Sequence, residues 1–362
     1  MSSASGGGCP AAPFVLLESF AAARGNRSFL FEGPEEQVVA YNLPEVRPAL
    51  ARVERAVAQG RHAAGFIGYE AAPAFDPAMR VRQPTTLPLL WFGIFRHRSE
   101  IRAGSLNRDG SLRLSEWNPS VSREAYRTAF ERIQSHITSG NTYQVNYTLR
   151  LRASWEGEAF ALYRRLCRSQ RAAYCAYLEW DGHRILSTSP ELFFELSGEM
   201  LTTRPMKGTY PRGRWIEEDD HHAELLRNSP KDRTENVMIV DLLRNDLGRI
   251  SEPGSVSVDR LFEVERYDTV LQMTSTIRSR LRGGTGLEDI LAALFPCGSV
   301  TGAPKIRTME IITEVEKAAK ETKLLINCGG YAGRDTSFSE LPPAEVVLRT
   351  KLTCSPLCSE FS

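Results

Sequence analysis

A lysine between a proline and a glycine, in the run RPMKGT at residues 204–209, places tight limits on the local backbone. Pro205 fixes its own φ and excludes a helix there, while Gly208 lets the backbone come close to whatever Lys207 contacts. The residues just before it, 201–204, have strand character. We therefore predict a turn after a strand that presents Lys207 as a positioned amine. A turn with a solvated lysine is the alternative that these residues leave open.

Residues 143–151 alternate strictly in polarity. The odd positions are apolar and the even positions are polar: Gln144, Asn146, Thr148 and Arg150. This pattern predicts a strand with one packed face and one polar face. The polar face lies either in water or along the wall of a cleft.

Helical and strand patterns are interleaved along the rest of the chain. Apolar residues at helical spacing predict helices at 48–59, 123–138, 159–170, 217–228, 232–247 and 287–295, with Pro48 and Pro230 suited to first turns. Short apolar runs predict strands at 29–31, 38–41, 64–69, 89–95, 173–180, 184–187, 192–196, 271–281 and 346–350. We expect a single domain at 13–350, with a β-rich part at 13–118 and a larger core at 119–350. Residues 1–12 and 351–362 are expected to be a flexible lead-in and an irregular tail.

Composition narrows the class of protein. The formal net charge is +1 and 25% of residues are charged, so there is no electrostatic case for nucleic acid or an anionic membrane. No apolar run reaches transmembrane length, and residues 1–8 lack the pattern of a signal peptide. The seven cysteines include no CxxC pair, which favours free thiols and a cytoplasmic protein.

Two acids stand in unusual settings. Glu191 follows Pro190 and precedes an apolar run, where desolvation would raise the pKa of its carboxyl and suit a general acid. Glu235 opens the apolar stripe of the helix at 232–247. It either binds a hard cation such as Mg²⁺ or a partner, or favours the dipole at the N-terminal end of the helix.

The run PCGSVTGAPK at residues 296–305 is rich in Gly, Ser and Thr and leads into a helix. Such a loop offers backbone N–H groups to an anion, either a carboxylate or a phosphate, although it can also be only a helix cap. Arg349 is a further candidate anion ligand. With Lys207 and the two acids, this set suits elimination or substitution on a small, multiply anionic molecule.

Six runs between about residue 123 and residue 350 resemble the chorismate-utilising enzymes, a family that includes anthranilate synthase component I, aminodeoxychorismate synthase component I and the isochorismate and salicylate synthases. The runs are SPELFF, RPMKGTYPRG, DRTENVMIVDLLRNDLGRI, VLQMTSTIRSRL, LFPCGSVTGAPKIRTMEII and LRT. The opening part, with GYEAAPAFDP and LPLLWFGIF, resembles the N-terminal region of aminodeoxychorismate synthases. The resemblance implies the α+β fold of anthranilate synthase component I, with two large, mostly antiparallel sheets packed face to face and flanking helices.

Within that family, PMKGT resembles the PIKGT of aminodeoxychorismate synthases rather than the PIAGT of anthranilate synthases. The resemblance implies that Lys207 is a nucleophile, Glu191 the general acid–base and Glu235 a Mg²⁺ ligand. Gln144 stands where water-using members have a lysine base, which implies ammonia as the nucleophile. Substrate contacts are implied for Gln144, Thr209, Gly298, Ser299, Thr301, Gly302, Tyr331 and Arg349.

The function implied is amination of chorismate to 4-amino-4-deoxychorismate, a step toward 4-aminobenzoate and folate. Ammonia would come from a separate glutamine amidotransferase, because the chain has no Cys-His glutaminase signature. The alternatives are an anthranilate synthase and a non-catalytic member of the family. After LRT the family continues with a Gly-rich strand and an acidic helix that carries a second metal-binding glutamate. Residues 351–362 do not match it, so we expect a truncated or altered C-terminus.

Overall fold

The computed structural model describes residues 11–21, 27–82, 87–108 and 110–316, together with the backbone of residues 324–327 and 346–354. The helices in this part are α1 (Leu43–Ala58), α2 (Arg123–Thr138), α3 (Ala159–Gln170), α4 (Ile216–Asn228), α5 (Pro230–Gly248), α6 (Leu287–Leu294), α7 (Gly298–Thr301) and α8 (Lys305–Val315). A short 3₁₀ helix spans Tyr69–Ala74. No described helix is long and apolar enough to cross a membrane.

The strands fall into an opening group and a later group. The first eleven are β1 (Phe14–Glu18), β2 (Ser28–Glu32), β3 (Glu36–Ala40), β4 (His62–Ile67), β5 (Leu90–Phe95), β6 (Ser99–Ile101), β7 (Leu112–Leu114), β8 (Asn118–Pro119), β9 (Gln144–Ala153), β10 (Trp155–Gly157) and β11 (Tyr174–Trp180). The others are β12 (His183–Ser189), β13 (Leu192–Ser197), β14 (Met200–Arg204), β15 (Met206–Pro211), β16 (Ser257–Arg266), β17 (Val270–Arg280), β18 (Gly302–Ala303), β19 (Leu324–Asn327) and β20 (Val346–Cys354).

Within the described residues, these strands form sheets of ten, five, three and two strands. The largest runs β18-β9-β20-β19-β12-β11-β1-β2-β6, with β8 also paired to β9. Its neighbours are antiparallel except for β12–β19 and β19–β20. The five-stranded sheet, β13-β14-β17-β15 with β16 on β17, is antiparallel throughout. Long-range antiparallel pairing therefore dominates, and the two largest sheets contain most of the strands.

Strand β11, in the middle of the ten-stranded sheet, is buried on both faces because it carries apolar residues at successive positions, which point to opposite faces. On one face Tyr177 packs with Phe160 and Tyr163 of α3. On the other, Trp180 stacks on Trp91 of the three-stranded sheet at 5.0 Å between ring centroids. Such an aromatic pair contributes about 0.5–1.5 kcal/mol beyond its buried area.

Helix α5 joins the two largest sheets. Ile239 and Leu243 on one side of α5 pack with Leu201 and Ile277 of the five-stranded sheet. The same helix also contacts α7 and β18, and β18 is the edge of the ten-stranded sheet. Residues close to α5 therefore lie at the junction of the two sheets.

Helix α1 begins five residues earlier than the apolar pattern predicted. The Glu45 carboxylate accepts hydrogen bonds from the backbone N–H groups of Tyr41 (2.8 Å) and Asn42 (3.1 Å), which fixes the helix start at Leu43. Pro44 occupies the first turn, and Pro48 lies inside the helix. The prediction that Pro48 opens the helix was therefore wrong.

The final described strand, β20, runs to Cys354, four residues past the expected end of the domain at 350. It pairs with β9 along its whole length, from Val346 opposite Ala153 to Cys354 opposite Val145. Residues 351–354 are thus strand rather than part of an irregular tail, because β9 is long enough to pair with them. Residues 355–362 lie outside the described part.

Candidate active site

Lys207 lies in strand β15. The prediction that it lies in a turn was therefore wrong. Strands β14 and β15 both pair with β17, on either side of Pro205, so the chain continues along the sheet instead of reversing. The register shifts between Met206 and Thr209, where Gly208 has φ +97°. Lys207 is 5% exposed, which excludes the solvated lysine.

Gly208 brings this strand against the start of α5. A Cβ at Gly208 would lie 3.0 Å from the Asp232 Cβ and 3.2 Å from its Oδ1. A side chain would crowd this contact, and the positive φ would strain it further. Lys207 is therefore held in a strand whose next residue touches the first turn of α5.

Glu235 lies one turn further along α5 and is half-buried. The fully buried face of the helix begins with Asn236, whose Oδ1 accepts a 2.5 Å hydrogen bond from Ser275 Oγ of β17. Glu235 is on the line of Met238 and Leu242, beside that face rather than at its start. Leu242 lies against Gly298, because a Cβ there would be 2.2 Å from Leu242 Cδ2. Glu235 thus shares a side of α5 with the contact to α7, about 10 Å away along the helix axis.

The segment predicted to be an anion-binding loop contains regular secondary structure. Residues 298–301 form the helical turn α7, and residues 302–303 form β18, which pairs with β9. Gly302 has φ +138°, and a Cβ there would lie 2.0 Å from the Gln144 carbonyl oxygen. Only glycine permits this approach. The close contact at Gly302 holds the segment against β9, the strand that the sequence predicted to have a polar face.

The polar face of β9 is buried where it meets this segment. Gln144 is 0% exposed and Asn146 is 1% exposed, so for these two residues a water-facing role is wrong. Asn146 Nδ2 donates to the Ser299 carbonyl oxygen at 2.6 Å. Within the described residues, neither amide atom of Gln144 has a hydrogen-bond partner. A buried amide without a partner is costly, so the arrangement suits a polar ligand at Gln144.

Glu191 lies in the connection between β12 and β13. Its backbone N–H donates to Ser189 Oγ at 3.2 Å, which shapes the turn between β12 and β13. Burial raises the pKa of the Cys297 thiol, and the negative charge of Glu191 raises it further. Two residues after Glu191, the ring of Phe193 lies 6.5 Å from that of Phe295 between centroids, which brings the Glu191 turn near the start of this segment.

The hydroxyls of this region are partly used within the protein. Thr301 Oγ1 donates to the Cys297 carbonyl oxygen at 3.1 Å, and Ser299 Oγ is 3.2 Å from Cys297 Sγ. Thr209 Oγ1 donates to Gln272 Oε1 at 3.0 Å across β15 and β17. The protons of Thr301 and Thr209 are directed to the protein, whereas either partner can be the donor between Ser299 and Cys297.

Two predicted contacts fall in the C-terminal part. Tyr331 lies outside the described residues. Arg349 is in β20, paired through its backbone with Arg150 of β9 and Asn327 of β19. Its position on the strand next to β9 is known, and its role as an anion ligand stays a prediction.

No group of three or more His, Cys, Asp or Glu side chains that could hold a metal occurs among residues with described side chains. Glu235 can contribute a single carboxylate to a metal ion. Mg²⁺ is commonly bound through one or two protein carboxylates with water and substrate oxygens completing its shell. The donor set fits a partial site for that ion.

Sequence reasoning missed three residues that hold this region together: Asn146, Asp246 and Lys305. The alternating pattern at 143–151 contained the signal for Asn146, since it placed that amide on the same face as Gln144. Lys305 and Asp246 form a buried ion pair, 2.7 Å from Nζ to Oδ2. Their 59-residue separation left no local pattern that could have paired them.

Contacts thus connect the predicted residues in a chain. The strand of Lys207 touches α5, α5 touches α7 at Gly298, and Gly302 of β18 lies against Gln144 of β9. The turn that carries Glu191 is near the start of this segment, where Phe193 meets Phe295. These neighbouring elements carry an amine, a carboxyl, an amide and backbone N–H groups, a set suited to proton transfer and substitution on an anionic molecule.

Comparison with known proteins identifies relatives of this arrangement. The family described as "chorismate binding enzyme" matches residues 13–321. Aminodeoxychorismate synthase component 1 of Klebsiella aerogenes is 47% identical over 202 residues, which are 56% of this chain and 45% of that protein. Anthranilate synthase component 1 of Haloarcula marismortui is 40% identical over 215 residues, 59% of this chain and 44% of that protein. The chain spans under half the length of these relatives.

The fold has a counterpart among solved structures. Anthranilate synthase component I from Streptococcus pneumoniae matches with a TM-score of 0.70 at 23% identity, covering 82% of this chain and 78% of that one. This likeness confirms the predicted α+β fold of the anthranilate synthase component I type.

Proposed function

The chain belongs to the chorismate binding enzyme family, and we propose that it aminates chorismate to 4-amino-4-deoxychorismate. The observation that carries this proposal is the burial of Lys207 in β15, next to the contact with α5. A buried lysine is expensive unless the protein uses or pairs its charge. At this position the sequence resembles aminodeoxychorismate synthases, whereas anthranilate synthases resemble PIAGT, with no amine to place.

The proposed chemistry begins with the Lys207 amine as a nucleophile toward the ring. For this step the amine must be in its neutral form, which is the nucleophilic one. As the new C–N bond forms, the C–O bond to the ring hydroxyl breaks, and Glu191 donates a proton to the leaving oxygen. Ammonia then bonds to C4 while the bond to Lys207 breaks, and Glu191 accepts a proton from the incoming nitrogen.

Substrate binding would fall to the segment at 298–302 and to its neighbours. Backbone N–H groups of this segment can bind carboxylate oxygens, and the hydroxyls of Ser299 and Thr301 can do so once their protons turn from the protein to the substrate. Gln144 faces the segment with an amide that has no partner among the described residues. An amide cannot act as a base toward water, which favours ammonia as the entering nucleophile. Thr209, Tyr331 and Arg349 are proposed as further contacts.

Glu235 is proposed as a ligand of Mg²⁺, which when bound would neutralise a carboxylate of the substrate. We expect Glu235→Gln to lose both the amination activity and the stimulation of that activity by Mg²⁺, because an uncharged amide oxygen binds Mg²⁺ more weakly than a carboxylate does. Titration of both proteins with Mg²⁺ in the amination assay measures this. A variant that Mg²⁺ still stimulates fully would exclude Glu235 as the ligand.

The relative from Klebsiella is named as a component 1. We propose that this chain likewise takes its ammonia from a separate glutamine amidotransferase, and that it works in the cytoplasm, which a set of cysteines without a CxxC pair favours. Free ammonium salts should replace the partner in a test of the synthase reaction.

The experiment is product analysis by mass spectrometry after incubation of the chain with chorismate, Mg²⁺ and ammonium at mildly alkaline pH. We expect aminated chorismate that retains its enolpyruvyl group. Anthranilate would show the function of the Haloarcula relative instead, and chorismate untouched by a folded chain would favour a non-catalytic member.

Two variants test the nucleophile. Lys207→Ala should abolish the product, since no amine remains. Lys207→Arg retains the positive charge but cannot lose its proton, so it should be inactive as well. Activity in Lys207→Arg would mean that position 207 supplies charge rather than a nucleophile, and unchanged turnover in Lys207→Ala would remove it from the reaction.

A further inference from the structure

A second buried lysine lies at the other end of the segment that carries Gly298 and Gly302. Lys305 is 8% exposed and is the first residue of α8. Its Nζ donates to Asp246 Oδ2 at 2.7 Å and to the carbonyl oxygens of Leu294 at 3.2 Å and Ala293 at 3.5 Å. The ammonium group of α8 is therefore hydrogen-bonded both to the C-terminal end of α6 and to a side chain of α5.

These contacts close the segment at its base. Ala293 and Leu294 end α6, and Lys305 starts α8, so the ammonium joins the two ends of residues 295–304. The carbonyl groups at the C-terminal end of a helix favour a cation, which explains why α6 accepts this one. The segment between these ends contains α7 and β18, and the hydrogen bonds of Lys305 hold its two ends together.

Asp246 fixes that base to α5. It lies eleven residues after Glu235 on the same helix, about 16 Å along the axis. The segment touches α5 a second time where Gly298 meets Leu242, one turn before Asp246. Two contacts on one helix define both the position and the orientation of the segment relative to Glu235.

Stability alone is a weak reason for such a pair. Burial raises the pKa of the Asp246 carboxyl even though the charges of Lys305 and Arg249 oppose the shift. Desolvation therefore outweighs the attraction, and a buried ion pair of this kind is often no more stabilising than apolar residues of similar volume. What the pair offers over apolar residues is direction, because the ammonium has three hydrogen bonds to satisfy at set angles.

We propose that Lys305 and Asp246 are positioning residues: their ion pair closes residues 295–304 and holds this segment in register with α5 for binding a dicarboxylate substrate. Neither side chain needs to touch the substrate. The inference rests on the proposed function only for the identity of that substrate as chorismate.

The first test is amide hydrogen exchange in the absence of substrate. Lys305→Met should speed exchange at residues 298–303 by at least about tenfold relative to the amides of β17, which report global stability. Arg307→Met is the matched control. That arginine is half-exposed two residues away and pairs only with Glu310 among the described contacts, so it should leave both regions unchanged. Equal loss of protection in the segment and in β17 would overturn the proposal.

Because Lys305→Met leaves the buried Asp246 charge unpaired, it also lowers the stability of the fold. The double variant Lys305→Met/Asp246→Leu removes both charges and should recover a melting temperature near that of the wild type. We expect the Kd for chorismate, and KM where turnover is measurable, to stay raised on the order of tenfold in this variant, with kcat affected less. A double variant with wild-type melting, exchange and Kd would show that the pair serves stability only.

The exchange result does not depend on the reaction. Wild-type protein that makes no aminated chorismate would overturn the proposed function and leave the exchange comparison valid. Protection lost equally in both regions would overturn the positioning role even if amination is confirmed.

Discussion

At the scale of single residues, the candidate site is distinguished by polar side chains in the interior. Lys207, Gln144 and Asn146 are all at most 5% exposed. Asn146 has a hydrogen bond to the Ser299 carbonyl oxygen, which gives it a structural role. Gln144 differs, because no partner for its side chain occurs in the part of the chain with described contacts. A group of that kind costs about 1–3 kcal/mol unless a ligand or water satisfies it.

Gln144→Met therefore separates stability from function. Methionine has nearly the same shape and removes both amide atoms, so we expect an unchanged or higher melting temperature. Amination should fall, since the proposed contact to the substrate or to ammonia is lost. Thermal unfolding and the amination assay on the same preparation measure the two effects. Full activity in this variant would mean that Gln144 has no part in the site.

At the scale of secondary-structure elements, α5 organises the site. Its first turn touches Gly208 of β15, its middle touches Gly298 of α7, and its final turns hold Lys305 of α8. Each of these contacts depends on a small or a charged residue at one position. The geometry of the site should therefore respond to the packing between α5 and α7 as well as to the residues that face the substrate.

Gly298→Ala tests that packing. The added Cβ would lie 2.2 Å from Leu242 Cδ2, so α7 must move or Leu242 must change rotamer, at about 1–3 kcal/mol. We expect a higher KM for chorismate. Adding Leu242→Ala should restore much of the lost affinity, because it removes the clashing atom.

The matched control is Gly248→Ala at the end of the same helix, where a Cβ would have no heavy atom within 4 Å. It should leave KM unchanged. Additive effects of Gly298→Ala and Leu242→Ala would contradict the contact, since residues that touch are expected to couple.

At the scale of the whole molecule, the opening part and the core share one hydrophobic cluster. Leu50 of α1 and Leu90 of the three-stranded sheet pack together with Leu291, Phe295 and Met309 from the later part of the chain. Arg47 also pairs with Glu288 at 2.5 Å from NH1 to Oε1. These contacts support the proposal of a single domain over residues 13–350.

Leu50→Ala tests this unity. Leu50 is fully buried, so we expect the free energy of unfolding to fall by about 2–5 kcal/mol. Calorimetry should show one transition that moves as a whole. Val57→Ala, at an exposed position of the same helix, should change stability by less than about 0.5 kcal/mol. A new low-temperature transition in Leu50→Ala, with the remainder unmoved, would indicate two independent domains.

Local sequence patterns predicted the presence of helices and strands better than they predicted where each one begins and ends. The helices at 123–138 and 159–170 begin and end where the apolar spacing and the turn residues placed them. Errors arose where a distant partner decided the outcome. Residues 206–211 became a strand because β17 continues past Pro205 and pairs with them. Residues 298–303 became a helical turn and a short strand because β9 lies alongside.

The chain's own residues define what kind of site this is: a lysine in a Pro-Met-Lys-Gly run, an acid after Ser-Pro, and a Gly-rich segment before a helix. Those identities follow from chemistry that is local in sequence, and they suffice for the resemblance to the chorismate binding enzyme family. Which residues meet was decided by tertiary packing. The pairing of Lys305 with Asp246, and the burial of Gln144 beside Gly302, depend on strands and helices far apart in the chain. Period and propensity describe one face of one element, and they carry no information on which other element covers it.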